Sequence, residues 1–165
     1  VNSQWIVWKI QPRLWGEHPL ERFAQRYRAL PGNIRRRLVI ENDDRLFPLR
    51  DCLEISRDTG VPVVFDAFHH AILNRGEPLR EALTGSLGTW SKQDGCAIVD
   101  YSSQEQGKRP GAHASTIDPA DFRRFLRAAQ GLDFDVMLEI KDKEASALKA
   151  LHELRRQTGG NGRAA

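Results

Sequence analysis

The stretch Val61-Pro62-Val63-Val64-Phe65-Asp66 decides the fold, because it is a short apolar run, rich in β-branched residues, that ends in a carboxylate. Three further apolar stretches also run into an acid, at Glu41, Asp100 and Glu139. Runs of this kind are typical of parallel strands buried on both faces. In an α/β barrel the functional side chains lie where such strands end. We therefore predict that the four acids meet at one edge of a parallel sheet, where carboxylates so close together need a cation between them.

Strand-like and helix-like segments alternate along the whole chain, which favours βα units. The predicted strands cover 5–10, 38–41, 61–66, 97–100 and 134–140. The predicted helices cover 19–30, 46–58, 71–87, 118–130 and 143–157. The third is interrupted near Gly76, and the fourth has Asp118 as its N-cap and Pro119 in its first turn.

Five βα units fall short of a complete (β/α)₈ barrel, which usually needs roughly 250 residues. We predict an α/β fold in which residues 1–157 form a partial TIM barrel of about five units around a parallel sheet, followed by a disordered tail, 158–165. An open doubly wound sheet is the alternative, although the chain lacks the Gly-rich dinucleotide fingerprint. Because the chain opens on Val and reaches its first apolar run by residue 5, we expect it to be a piece of a longer chain.

Composition excludes several classes of protein. The 165 residues include 25 basic and 22 acidic side chains, which give a net charge of +3. The chain has only two cysteines, and their wide separation argues against a disulfide framework or a zinc motif. No apolar stretch approaches the roughly 20 residues of a membrane span, and no signal peptide is visible, so a cytoplasmic protein with no membrane contact is expected.

Two histidines join the strand-end acids as candidate metal ligands. His69 follows Asp66 by three residues, and His113 ends the turn-forming sequence Arg109-Pro110-Gly111-Ala112. Asn42 and Asp43, directly after Glu41, would support the ligands. Ordinary structural roles remain open: Asp43 or Asp44 capping the next helix, His70 starting a helix, and His113 as a surface histidine.

Hydroxyl and basic side chains near the predicted strand ends suit a polyanionic substrate. Ser102 and Ser103 either contact phosphate oxygens or cap a turn, and the remaining candidates are Lys108, Arg109 and Lys141. Lys141 is alternatively an ordinary basic residue before a helix. The tryptophans Trp5, Trp8, Trp15 and Trp90 either stack on bases or pack in the protein, with packing favoured for Trp5 and Trp8.

Five motifs together resemble the C-terminal part of the UV damage endonucleases, TIM-barrel repair nucleases related to endonuclease IV. They are Leu-Val-Ile-Glu-Asn-Asp-Asp (38–44), Pro-Val-Val-Phe-Asp-x-x-His-His (62–70), Tyr-Ser-Ser-Gln (101–104), Arg-Pro-Gly-Ala-His (109–113) and Asp-Val-Met-Leu-Glu-x-Lys-Asp-Lys-Glu (135–144). The resemblance runs from about Gly16 to about Leu154, and its specificity lies in the order and spacing of the motifs.

The resemblance implies a nucleotide excision type of DNA repair enzyme that responds to UV damage. Such an enzyme is a metal-dependent hydrolase that cuts damaged double-stranded DNA on the 5′ side of a lesion with a cluster of divalent cations, commonly Mn²⁺, with Mg²⁺, Zn²⁺ or Co²⁺ as alternatives. It implies Glu41 as the bridging ligand with Asp66, His69, His113 and Glu139, while Asp100 stands at a further ligand position. Glu41, Glu139 and Lys141 would be catalytic, and Ser102, Ser103, Lys108, Arg109 and Lys141 would contact DNA.

The chain departs from the family pattern at two motifs. A Lys-x-His is replaced by Ile98-Val99-Asp100, and a histidine of an early strand is missing from Trp8-Lys9-Ile10-Gln11-Pro12. The first three barrel strands would lie before Val1, so we expect weak or no cleavage by this chain alone. The alternatives are a non-catalytic remnant that binds DNA or the missing N-terminal half-barrel, and a sugar-isomerase barrel of the xylose isomerase type, whose two-cation site also gathers Glu, Asp and His.

Overall fold

The structure is a computed structural model that describes residues 5–8 and 17–160, with side chains described as far as Gln157. Predictions for Trp15, for residues 9–12 and for the tail from 161 onward lie outside these residues.

Five parallel strands form one sheet in chain order, as the sequence predicts. They are β1 (Ile6–Trp8), β2 (Leu38–Glu41), β3 (Val63–Asp66), β4 (Ile98–Tyr101) and β5 (Asp135–Leu138). Parallel neighbours in chain order need a crossover after each strand, and helices provide every one. The fold is therefore α/β, a partial barrel of five βα units.

Seven helices accompany the strands in residues 5–8 and 17–160. They are α1 (Pro19–Ala29), α2 (Gly32–Arg35), α3 (Leu49–Thr59), α4 (Ala67–Ile72), α5 (Leu79–Leu87), α6 (Pro119–Ala128) and α7 (Glu144–Gly160). Asp118 caps α6 as predicted, since its side chain accepts the amides of Ala120 and Asp121. In the described part of the chain, no helix combines the length and apolar character needed to cross a membrane.

Strand register separates the functional side chains from the core. Glu41 pairs with Val64, and Asp66 pairs with Asp100, so these side chains share one face of the sheet. The opposite face packs against the helices and carries buried side chains such as Ile40, Phe65 and Val99. The alternation of a strand thus places acids on one face while the helices cover the other.

Several predicted boundaries are wrong, and each has a local cause. The helix predicted from Leu46 begins at Leu49, because Asp43 Oδ1 accepts the amides of Arg45, Leu46 and Phe47 and holds a turn there. Neither Asp43 nor Asp44 is its N-cap, which is Pro48.

The third predicted helix is two helices, as its interruption near Gly76 suggests, and Gly76 has a φ of 96°. The first of the two begins at Ala67 rather than Ala71, since Asp66 caps it. The last helix, α7, continues to Gly160, three residues beyond its predicted end. The predicted strand 5–10 begins at Ile6, with its residues 9 and 10 outside the described part of the chain, and the predicted strand 134–140 is shortened to Asp135–Leu138. The short helix α2 follows Pro31, where only a stop is predicted.

The two outer strands expose apolar side chains. Ile6 and Val7 on β1 are 55% and 44% exposed, and Val136 and Met137 on β5 are 38% and 55% exposed. The three inner strands, flanked by neighbours on both sides, are buried almost throughout. The burial of functional residues therefore depends on which strand carries them.

Candidate metal centre

Glu41 and Asp66 are the last residues of two adjacent strands and lie on the same face of the sheet. Both side chains are almost completely buried, with Glu41 3% and Asp66 1% exposed. An ionised carboxylate tolerates such burial only beside a positive charge or strong hydrogen-bond donors. The surroundings of these two acids supply both.

Asp66 has two functions in the local structure. Its Oδ1 accepts the amides of Phe68 at 2.8 Å and His69 at 2.9 Å, which makes it the N-cap of α4. Its Oδ2 lies 2.7 Å from His69 Nδ1. The cap sets the direction in which α4 leaves the strand, and the first turn of α4 then carries His69 back over the carboxylate.

Three oxygens surround His69 Nδ1. The backbone carbonyl of Asn42 is 3.0 Å away, Asp66 Oδ2 2.7 Å and Glu41 Oε1 3.2 Å. Since a carbonyl can only accept, Nδ1 carries the hydrogen and donates it to Asn42, and the two carboxylate contacts are ion pairs.

The charge of the pocket favours a protonated His69. Burial by itself lowers the pKa of His69, but the hydrogen bonds and charges of Asp66 and Glu41 outweigh it and raise the pKa to about 10. A proton on the imidazole thus supplies the positive charge that the two carboxylates require.

The donor set fits a divalent cation. Ligand atoms of Glu41, Asp66 and His69 all lie within 4.8 Å of one another, and all three residues are buried. Two carboxylates and an imidazole suit Mn²⁺, Zn²⁺ and related ions. A cation would replace the imidazolium proton as the compensating charge, so the site binds a cation and a proton competitively.

His113 and Glu139 lie next to this cluster, at the rim. The His113 ring stands 5.9 Å from the His69 ring, edge to face, and its Nδ1 lies 3.0 Å from the Glu139 carbonyl and 3.7 Å from Glu139 Oε2. Their side chains are 29% and 39% exposed. The structure therefore places His113 beside His69 and Glu139 beside His113, but among the described residues neither belongs to the cluster within 4.8 Å.

Asp100 is buried and points from the same face of the sheet as Asp66, its register partner on the neighbouring strand. It precedes the last residue of β4, whereas Glu41 and Asp66 are terminal. Among the described residues, the cluster within 4.8 Å does not include Asp100. Asp100 thus lies beside Asp66 on the neighbouring strand and stands as an outer candidate.

His70 faces away from the centre. Its Nε2 lies 3.1 Å from the Glu77 carbonyl, and its ring packs against Phe65 on the helix side of the sheet. Consecutive residues of a helix project about 100° apart, so His69 and His70 cannot share one site. Of the two adjacent histidines, only His69 is a candidate ligand.

The predicted phosphate contacts fall into two groups. Ser102 and Ser103 are buried, and the Ser102 hydroxyl donates to the Glu139 carbonyl at 2.9 Å. Lys108 and Arg109 are exposed on the loop that leads to His113. Lys141 is exposed as well, with its Nζ 3.3 Å from Glu105 Oε2. The basic side chains are accessible to a polyanion, whereas the serine hydroxyl of Ser102 positions Glu139.

Two residues position the candidate ligands, and the sequence predicts only one of them, Asn42. The Gln104 side chain donates to the carbonyls of Glu105, Lys108 and Arg109 and accepts the Gly111 amide, and so shapes the His113 loop. The Asn42 amide bonds to the backbone of Asp66. A polar residue directly after a strand-end acid is the only signal that pointed to Asn42, and nothing in the sequence distinguishes Gln104.

The described tryptophans pack within the protein. Trp90 donates to the carbonyl of Val63, the first residue of β3, and contacts Trp5 at 5.3 Å between ring centroids. Trp8 packs against Phe23 on the helix side. Trp5 and Trp90 lie near the amino end of the sheet, whereas the candidate metal centre lies at the carboxyl end. These two side chains are therefore badly placed to stack on bases at that centre.

Comparison with known proteins finds one family. The model of the UV-endonuclease UvdE family matches residues 16–161. A UV DNA damage endonuclease of Clostridium perfringens (strain 13 / Type A) is 36% identical over 137 residues, covering 82% of this chain and 33% of that protein. Another, of Bacillus cereus (strain Q1), is 36% identical over 140 residues, covering 84% of this chain and 44% of that protein.

Among solved structures, the crystal structure of SacUVDE matches with a TM-score of 0.86 and 46% sequence identity, over 93% of this chain and 52% of that one. The chain thus spans about half the length, or less, of the relatives that it matches.

Proposed function

The chain belongs to the UV-endonuclease UvdE family, and from that premise we propose that it forms the metal-binding part of an endonuclease that cuts DNA on the 5′ side of UV lesions in repair. The buried cluster of Glu41, Asp66 and His69 carries the proposal. Charged groups are rarely buried without a partner, and a cation-binding function explains why three of them converge at the ends of adjacent strands. The family assignment favours a nuclease over the sugar isomerase.

The proposed centre holds a cluster of divalent cations, with Mn²⁺ as the first candidate and Mg²⁺, Zn²⁺ and Co²⁺ as alternatives. Its ligands are Glu41, Asp66, His69, Asp100, His113 and Glu139. When bound, such cations lower the pKa of water and neutralise charge on a phosphodiester. The protein itself contributes position: α4 fixes Asp66 and His69, while His113 and Ser102 hold the carbonyl of Glu139.

Basic side chains beside the centre suit contact with the DNA backbone. Lys108 and Arg109 are exposed on the loop that carries His113, and Lys141 lies two residues after Glu139, just beyond β5. The Lys141 side chain is 60% exposed, so it can exchange Glu105 for a phosphate at small cost. We assign Lys108, Arg109, Lys141 and Ser103 to DNA contact, and Glu41, Glu139 and Lys141 to catalysis. The Ser102 hydroxyl, predicted as a further DNA contact, instead donates to the Glu139 carbonyl.

Cleavage requires further βα units, in the same chain or in another, that complete the barrel. The chain covers 52% of SacUVDE, and its two outer strands expose apolar side chains at Ile6, Val7, Val136 and Met137. A groove of about 550 Å³ adjoins β5 between α6 and α7 and is lined by apolar side chains that include Phe122, Phe134 and Leu151. Exposed strand edges and apolar patches of this kind are contact surfaces.

A non-catalytic remnant that binds DNA or a completing half-barrel is the second candidate. Two observations favour it: Asp100 stands where the family carries a histidine, and the rim ligands His113 and Glu139 are partly exposed beside the uncovered β5 edge. In that case the chain would bind DNA without cutting it.

The test is cleavage of a duplex with one defined UV lesion, in the presence of Mn²⁺. The chain is assayed alone and mixed with the half of SacUVDE that it does not match, with Glu41→Gln and EDTA as controls. We expect weak or no nicking by the chain alone and nicking on the 5′ side of the lesion in the mixture, lost in both controls.

Binding of the lesion duplex without nicking, in a mixture that forms a stable complex, would favour the remnant. Nicking that persists in Glu41→Gln would contradict the proposed centre.

A further inference from the structure

Asn42 is completely buried, and its side chain bonds to the backbone of the neighbouring strand. Its Nδ2 donates to the carbonyl of Asp66 at 3.0 Å, and its Oδ1 accepts the amide of Asp66 at 2.9 Å. One donor and one acceptor directed at a single residue are what a parallel strand offers its neighbour. The Asn42 side-chain amide therefore takes the place of the two backbone groups that a continued β2 would direct at Asp66.

The two bonds from Asn42 to Asp66 lie just beyond the last backbone pairing of β2 with β3. The last pair between β2 and β3 is Glu41 with Val64, two residues before Asp66. Beyond Glu41 the chain turns away into the loop held by Asp43. Without Asn42, the amide and carbonyl of Asp66 on this side would be buried and lack these bonds, which buried backbone groups rarely tolerate.

Asn42 also holds the third member of the cluster through its own backbone. Its carbonyl accepts the Nδ1 hydrogen of His69 at 3.0 Å. The side chain of Asn42 thus fixes Asp66, its carbonyl orients the His69 ring, and its neighbour in the chain is Glu41. All three cluster residues are tied to this one position.

We infer that Asn42 is a positioning residue that presets the spacing of the Glu41, Asp66 and His69 ligand atoms before any cation binds. The inference rests on the proposed metal function of this cluster. Rigid backbone placement reduces the reorganisation that binding must otherwise drive, and outer partners of ligands commonly contribute about 10- to 100-fold in metal affinity. Asn42 does so without touching the cation.

The experiment compares Asn42→Ala with Ser86→Ala. Ser86 is also completely buried and donates to a carbonyl of β3, but at Val63, the opposite end of the strand from the cluster. Mn²⁺ affinity is measured by titration calorimetry for each variant, and the unfolding midpoint is measured in EDTA. Hydrogen exchange of the Asp66 amide in EDTA reports directly on the Asn42 bond.

We expect Asn42→Ala to lose about 10- to 100-fold in Mn²⁺ affinity and to expose the Asp66 amide to exchange. Ser86→Ala should keep the affinity of the wild type, whatever its unfolding midpoint. If Asn42→Ala does not fold, Asn42→Gln, which keeps the amide group but displaces it by one methylene, should show the same loss.

Equal Mn²⁺ affinity in the wild type and the Asn42 variant overturns the inference, as does an equal loss in Ser86→Ala. Failure of the wild type to bind Mn²⁺ at all overturns the proposed metal centre, and the inference with it.

Discussion

The two halves of the candidate metal centre differ in how firmly the fold holds them. Glu41, Asp66 and His69 come from β2, β3 and α4, and none is more than 6% exposed. The side chains of His113 and Glu139, which come from the loop after β4 and the end of β5, are 29% and 39% exposed. We call these the inner half and the rim half.

Strand order explains the difference. β2 and β3 have paired neighbours on both sides, whereas β5 pairs only with β4 among the described residues and leaves Met137 55% exposed. A ligand on an inner strand receives burial and backbone bonds from its surroundings, and a ligand on an outer strand has solvent on one side. The fold therefore fixes the side chains of the inner half, whereas the placement of the rim half depends on what covers β5.

The largest effect is expected for Asp66→Ala, which removes a ligand, the N-cap of α4 and the partner of His69 together. Breaking a buried pair usually costs about 3–5 kcal/mol, and Mn²⁺ affinity should fall by more than the roughly 100-fold typical of outer partners. Urea unfolding in EDTA and Mn²⁺ titration measure the two effects. Asp133→Ala, at an exposed position, is the control. If Asp66→Ala unfolds at the same urea concentration as this control, the inner half is not held rigidly by the fold.

A smaller loss is expected for Gly111→Ala, in the loop that carries His113. Gly111 has a φ of 82°, and a Cβ there would lie 2.5 Å from Asp44 Oδ2, on the loop after β2. Strain of this kind costs about 1–3 kcal/mol. Gly107→Ala, in the same loop with φ 71° and open space around its Cβ, isolates the cost of the backbone angle.

The close approach of Gly111 to Asp44 is measured by the unfolding free energies of both glycine variants and of Gly111→Ala combined with Asp44→Ala. If Gly107→Ala and Gly111→Ala are equally destabilised, the contact between the two loops contributes nothing to the position of His113.

A pH effect is expected on the helices behind the rim half. The Arg123 guanidinium, 3.0 Å from Glu153 Oε2, lowers the pKa of Glu153 below its ordinary value of 4.5. Because the folded pKa is lowered, this pair stabilises α6 against α7 at neutral pH, and the stabilisation is lost as the pH falls below about 4.5 through the folded value. Glu153→Gln should therefore lose less stability between pH 7 and pH 3 than the wild type.

Unfolding followed by circular dichroism across this pH range measures the difference, with Glu54→Gln on the surface of α3 as the matched charge change. An acid transition that is unchanged in Glu153→Gln would show that the pair does not brace these helices.

The smallest effect on stability is expected for Glu139→Ala. The side chain is partly exposed at the end of an outer strand, so the unfolding free energy in EDTA should change by no more than about 0.5 kcal/mol. Mn²⁺ titration should keep its tightest phase, from the inner half, and lose a weaker one. Destabilisation as large as that of Asp66→Ala would mean that the two halves do not differ.

Local pattern was sufficient for much of the fold. The apolar runs before Glu41 and Asp66 end in strands with these residues last, and Asp118-Pro119 opens α6 as predicted. Convergence of the strand-end acids followed from parallel topology alone. Boundaries failed where a side chain bonds to backbone amides two to four residues further on, as when Asp43 delays α3 or Asp66 starts α4 early.

The candidate site was predictable as a list of residues but not as an arrangement. Residue type and spacing selected Glu41, Asp66 and His69, which the structure brings together, while His113 and Glu139 stay predictions as ligands. The sequence did not show that His70 faces the helices, that Ser102 is committed to the Glu139 carbonyl, or that Gln104 shapes the His113 loop.

The sequence by itself determined the repeating βα order, the chemistry at the strand ends and the resemblance to a nuclease family, because each depends on neighbours within a few residues. Only the tertiary structure decided which ligands are buried, which are exposed, and that Asn42 joins β2 to β3 across 24 residues. The physical reason is that burial and hydrogen-bond partners belong to the packed neighbours of a residue, and chain folding brings these together from positions that no local pattern relates.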